Sequence, residues 1–198
     1  MASDLSFAAF DVETANPKRG SICAIGVAIV RGGVRIGTHT WLCRPPSAIG
    51  EFAPYNMRVH RITPAVVDGQ PGFAQRLPEV LSVVGDLPVV AHNAAFDMDN
   101  LARACSFSGA DLPDWAYGCT YIWSKRQLFL EKYRLPHVAA ALGVVLSNHH
   151  DAGADAAATA DIAIRLAALA GVSSIADLAL TAGSPLQQLG RARHRAGR

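Results

Sequence analysis

The sequence predicts an α/β fold: a mixed sheet of an antiparallel three-strand meander plus parallel strands, flanked by helices. Two observations carry this. Three β-rich apolar runs come first, over residues 7–14, 22–30 and 34–43, the last two joined by Arg31-Gly32-Gly33. Paired glycines suit the positive φ angles of a tight hairpin turn. Beyond residue 54, helical spacing of apolar residues alternates with short apolar strands. The composition, 51% hydrophobic and 17% charged, suits one domain with a substantial core rather than a disordered chain.

Residues 7–14, FAAFDVET, read as a buried central strand whose apolar run is interrupted only at its C-terminal end. Residues 14–20 and 44–54 read as loops. A helix is expected over 73–84, with Leu77, Val80, Leu81 and Val84 at helical spacing and Pro78 awkward near its first turn. A short strand over 87–91, a helix over 95–107 and a strand over 117–119 follow. Helices are then expected over 120–127, 136–142 and 153–170, the last ended by Gly171, and over 173–182 behind a Ser173 or Ser174 cap. The two later strands are expected to add parallel to the first, which places it mid-sheet. Residues 1–183 are expected as one domain and 184–198 as a basic tail.

The net charge of +2 does not by itself announce nucleic acid, although Arg191, Arg193, Arg195 and Arg198 cluster at the end. The four cysteines are scattered without CxxC spacing, as in a reduced cytosolic protein. Residues 1–6 hold no signal-like segment, and no apolar run reaches about 18 residues, so neither export nor a membrane is expected. The expected location is the cytoplasm.

The chemistry is expected at the end of the first strand. Asp11 and Glu13 are two residues apart and point to one face. Paired carboxylates repel and lose solvation, so protonation, a basic partner or a cation must compensate. Further acids rather than obvious bases favour the cation. Asp97 falls in the first turn of the helix after the strand ending at His92-Asn93, and Asp155 opens an alanine-rich helix five residues after His150. Each alone suits a helix N-terminus, as Asp99 and Asp151 do. Together they offer four carboxylates and a titratable base. Oxygen donors suit Mg²⁺ or Mn²⁺ rather than zinc. Two such ions activate a water and stabilise a leaving oxygen in phosphodiester cleavage, and a histidine can take the proton.

With these residues in place, the sequence resembles the DEDD exonucleases of the histidine branch, of the bacterial DNA polymerase III epsilon-subunit type. The matching stretches are FDVET, VHRIT, VVAHNAAFD, LPHVAAALGV and HDAGADA, in the family's order over residues 5–170. The resemblance implies a ribonuclease-H-like fold and metal-dependent 3′→5′ release of nucleoside 5′-monophosphates from single-stranded DNA or RNA ends. It implies that Asp11, Glu13 and Asp155 hold one of two Mg²⁺ or Mn²⁺ ions, with Asp11 bridging to the second and Asp97 acting on that one. It selects His150 over His149 as general base, and Thr14, Ile62, His92 and Phe96 as the lining of the terminal-nucleotide pocket. A DNA polymerase is a candidate partner, and the alternative function is a binding module of this fold without chemistry. Arg61 stands where the family usually has glycine, a departure that bears on how the strand is guided. Residues 127–130, QLFL, have a faint similarity to clamp-binding peptides and are read as the core of a helix leading to 133–135.

Overall fold

The computed structural model describes residues 4–190. The chain opens with strands β1 (Phe7–Thr14), β2 (Ile22–Arg31) and β3 (Val34–Leu42). Helices α1 (Pro54–His60), α2 (Pro64–Val67) and α3 (Phe73–Val84) precede β4 (Val89–Ala91), α4 (Ala94–Ser108) and β5 (Ala116–Cys119). Then come α5 (Thr120–Gln127), α6 (Leu135–Ala141), α7 (Ala152–Ala170), α8 (Ile175–Thr181) and β6 (Gln187–Gln188). The strands form one sheet ordered β3-β2-β1-β4-β5-β6. The first three pair antiparallel, β4 and β5 add parallel, and β6 closes the far edge antiparallel. The expected mixed sheet is observed, with β1 inside it.

The period of two along β1 divides the core. Ala8, Phe10 and Val12 face a layer containing Phe73, Leu77, Met98 and Leu101 of α3 and α4. Phe7 and Ala9 face the other layer, with Ile162 and Leu166 of α7 and Leu178 of α8. The hairpin turns at Gly32 and Gly33, both at positive φ (57° and 79°). Gly171 ends α7 at φ 67°, and Ser174 rather than Ser173 caps α8 by accepting the Asp177 N–H. Gly26 of β2 faces the start of α7 so closely that a Cβ there would lie 1.9 Å from the Ala152 carbonyl oxygen and 2.6 Å from the Gly153 nitrogen.

The third run of the meander forms its edge, with Val34 and Ile36 exposed. Two short helices, α1 and α2, lie within residues 54–67, where no helix was expected. Two expectations change. Residues 128–130 lie beyond α5 rather than in a helix, and Phe129 is fully exposed. Residues 184–190, expected as the start of the tail, belong to the folded unit: β6 pairs with β5, Leu189 is buried, and the Trp123 indole donates to the Ser184 carbonyl. The arginines from 191 onward lie outside the described residues. Among the described residues, no single helix is long and apolar enough to cross a membrane.

Candidate active site

The C-terminal half of β1 runs past the end of β4, which last pairs with it opposite Ala9. Ligands of open α/β sheets settle in such a crevice. Asp11 and Glu13 project there on the α7 face, and the ladder to β2 shifts register between Glu13 and Thr14, a bulge of the kind that re-aims side chains beside active sites. From the helix layer on that face, Asp155 in the first turn of α7 brings its oxygen to the same spot. One carboxylate oxygen each of Asp11, Glu13 and Asp155 lie within 4.8 Å of one another. Asp97, in the first turn of α4, accepts the Val12 N–H at 3.3 Å and so sits against the backbone between the two β1 acids.

The electrostatics follow from that crowding. Burial, then the charges of Asp97, Glu13 and Asp155, push Asp11 well above the usual carboxylate range. Burial and then Asp155 and Asp97 raise Glu13 to about 8. Asp97 is also raised by burial, against the opposing pull of the Val12 N–H and of Arg19. Burial raises Asp155 as well, and its hydrogen bond with His149 resists the rise. The Asp11 carboxylate has no protein donor among the described residues. Four acids that resist ionisation and lack basic partners in hydrogen-bond contact, His149 excepted, are poised for cations. The all-oxygen donor set of Asp11, Glu13 and Asp155 fits a hard divalent ion.

Two histidines cover the acids. His149 Nδ1 lies 3.1 and 3.0 Å from the two Asp155 oxygens, and Asp155 also accepts the His150 N–H at 3.2 Å. The His150 ring stacks on His149, centroids 3.7 Å apart, because a left-handed residue (φ 72°) turns the chain there. Asp151 caps α7 by accepting the Ala154 N–H, and Asp99 pairs with Arg19 and Arg103 at the surface.

A cleft of about 610 Å³ opens beside these groups, lined by Glu13, Thr14, Phe96 and His150 among the expected residues, and by His149. Ile62 and His92 are not among its walls. Ile62 packs with Ala15, Cys23 and Val67. His92 is held at both nitrogens, by the Thr120 hydroxyl and the Tyr133 carbonyl, each at 2.9 Å. A carbonyl only accepts, so Nε2 carries the proton, and burial lowers this histidine to about 4. The sequence did not single out Arg19, Tyr55, Asn56, His60, Asn100 and Arg134, which also line the cleft. Arg19 lies over the Phe96 ring at 4.3 Å, and Asn56 donates to the Thr14 carbonyl at 2.8 Å. His60 accepts the Ile62 N–H at Nδ1, so its Nε2 donates to the same carbonyl at 3.0 Å. Of these only His60 had a signal, its place in VHRIT. A larger groove, about 720 Å³ and lined mostly by residues from Arg44 to Gln75, touches none of the four acids of the site.

A family model described as Exonuclease (RNase_T) matches residues 8–163. The DNA polymerase III subunit epsilon of Aquifex aeolicus is 30% identical over 167 residues, 82% of this chain and 77% of that protein. The PolC-type DNA polymerase III of Clostridium perfringens is 32% identical over 162 residues, but this chain spans only 11% of its length. Among solved structures, exonuclease X in complex with 5′ overhanging duplex DNA superimposes with a TM-score of 0.68 at 24% identity, covering 92% of this chain and 96% of that one. Exonuclease I gives 0.69 at 19% identity over 83% of this chain and 41% of that one. The fold is the ribonuclease-H-like mixed sheet of these nucleases.

Proposed function

Because the chain belongs to the DEDD exonuclease family, in its histidine branch and of the DNA polymerase III epsilon-subunit type, we propose that it removes nucleoside 5′-monophosphates from single-stranded 3′ ends of DNA or RNA. The observation that carries this is the meeting of Asp11, Glu13 and Asp155 within 4.8 Å, with Asp97 on the backbone between the first two. Asp11, Glu13 and Asp155 would hold one Mg²⁺ or Mn²⁺, and Asp11 with Asp97 a second. When bound, such ions neutralise the charge that builds on the scissile phosphate and its leaving oxygen, and lower the pKa of the attacking water.

The protein's own groups do the rest. Thr14 and Phe96 line the cleft where the last nucleotide enters, and a phenyl ring can clamp a base without reading its identity. His150, which lines the cleft, takes the proton from the attacking water as general base; burial lowers its pKa, which keeps it neutral and able to accept. His149 orients Asp155 through its two contacts to that carboxylate. A binding module without chemistry would have no use for four acids whose ionisation opposes the fold.

A 5′-labelled oligonucleotide mixed with the protein and Mg²⁺ or Mn²⁺ is expected to give a ladder shortening from the 3′ end. Chelation or Asp11→Asn is expected to abolish it. Robust degradation by the Asp11→Asn protein removes the two-metal centre.

A further inference from the structure

We propose that the loop between α5 and α6 is a second strand-binding surface, on which Phe129 stacks a base of the substrate strand outside the cleft while surrounding cations hold its phosphates. It rests on the nucleic-acid reading above and extends it along the strand. Residues 125–134, KRQLFLEKYR, place Lys125, Arg126, Lys132 and Arg134 around a single acid, Glu131. All four cations are exposed, and none forms an ion pair with a carboxylate among the described residues. Midway along this run Phe129 is 104% exposed, a whole phenyl ring left in water.

This loop is braced rather than loose. The Tyr133 hydroxyl donates to the Leu128 carbonyl and accepts the Leu130 N–H, both at 3.0 Å, fixing the residues on either side of Phe129. Leu128 and Leu130 turn inward against the core layer. The backbone of Tyr133 is tied to the end of β4 by His92. With the backbone braced on both sides, docking has only the Phe129 side chain left to order, which favours binding. The next residue, Arg134, lines the cleft with Glu13 and His149. The surface is therefore continuous with the cleft, and a single strand carries what it offers to meet: regular negative charge and flat aromatic faces. A peptide partner would have no need of that continuity.

The test uses the full chain without divalent ions, so that nothing is cleaved, and a fluorescently labelled single strand of about a dozen nucleotides. Anisotropy is expected to show Phe129→Ala binding about 5- to 100-fold more weakly than the parent. Phe129→Trp is expected to bind as tightly as the parent, with indole emission quenched by the strand. With Mn²⁺ restored, Phe129→Ala is expected to hydrolyse a dinucleotide, too short to reach the loop, at the parental rate. Equal strand binding by Phe129→Ala, or no binding by the parent, overturns the proposal, and so does loss of dinucleotide turnover. Phe129-dependent binding by a protein that hydrolyses no oligonucleotide overturns the nuclease function instead and leaves the strand-binding surface standing.

Discussion

A methyl group at position 26 is the smallest change that reaches the acids without altering one. A Cβ on Gly26 would lie 1.9 Å from the Ala152 oxygen, 2.2 Å from its carbon and 2.6 Å from the Gly153 nitrogen. These are backbone atoms of the first turn of α7, so no side chain can swing aside. Restoring an ordinary contact from 1.9 Å requires a retreat of about 1.5 Å or more. The helix cannot easily slide along the sheet, because Gly153 is itself seated where a Cβ would lie 2.1 Å from the Thr40 hydroxyl. Asp155 sits in that same turn. A displacement of roughly 1 Å in a group that must meet Asp11 and Glu13 costs on the order of 100-fold in turnover. Overpacking costs about 1–3 kcal/mol, or roughly 2–12 °C in Tm for a chain of this size. Gly26→Ala is therefore expected to fold, to melt earlier, to need more Mn²⁺ for half-maximal activity and to lose about two decades of kcat/KM on a labelled single strand. Gly37→Ala is the control: its Cβ meets only the His39 ring, at 3.5 Å. Activity and Mn²⁺ dependence of Gly26→Ala within about twofold of the parent would refute the close seating of α7 as the device that positions Asp155.

Other outcomes follow from the same site. His150→Ala is expected to lower kcat about 100-fold or more while Mn²⁺ still raises Tm normally, whereas His149→Ala weakens Mn²⁺ binding more than it slows turnover; the reverse pattern would exchange the two roles. Without metal, stability is expected to fall as pH rises from about 6.5 to 8.5, by at most about 1.4 kcal/mol per pH unit per group. The sign follows from Glu13, raised from 4.5 to about 8: the folded state keeps a proton that the unfolded state has released, so its contribution is complete below 4.5 and lost as pH passes about 8. His60, His92 and His150 are lowered and oppose this only below their ordinary 6.5. Melting curves in chelator test the fall; a flat Tm across that window, or one unchanged by Glu13→Gln, removes the repelling acid cluster. Arg61 ends α1 at φ 63°, the left-handed region in which glycine is unstrained. Arg61→Gly is expected to raise Tm by about 1–3 °C, and a fall in Tm would show that the arginine makes compensating contacts.

How much of this the sequence could reveal depended on how each element is stabilised. β1 and its acids were legible because an apolar run broken at one end by Asp11 and Glu13 has few other meanings. Asp97 and Asp155 were legible as helix-start acids, and only together as a site. Helices α1 and α2 were hidden: they have 7 and 4 residues, no side-chain cap, and too few turns to set a period. With them went Tyr55, Asn56 and His60, three walls of the cleft. β6 has two residues and exists because β5 offers an edge. The stacking of His150 on His149 depends on one left-handed residue, which no spacing rule announces. Ile62 and His92 lie outside the lining of the cleft, a matter of side-chain direction that their places in matching motifs do not carry.

The bond from the Val12 N–H to Asp97 has a mechanical side. Alternate amides of β1 face β4, as Ala8 does in donating to the Pro88 carbonyl, and β4 stops before it can serve Val12. Asp97 takes the place of the missing rung. The strand tip that presents Asp11 and Glu13 is thus held by β2 along one edge and, along the other, by a carboxylate on another helix: if Asp97 rotates toward an arriving positive charge, that second edge gives up its last bond while the β2 ladder keeps the tip in place.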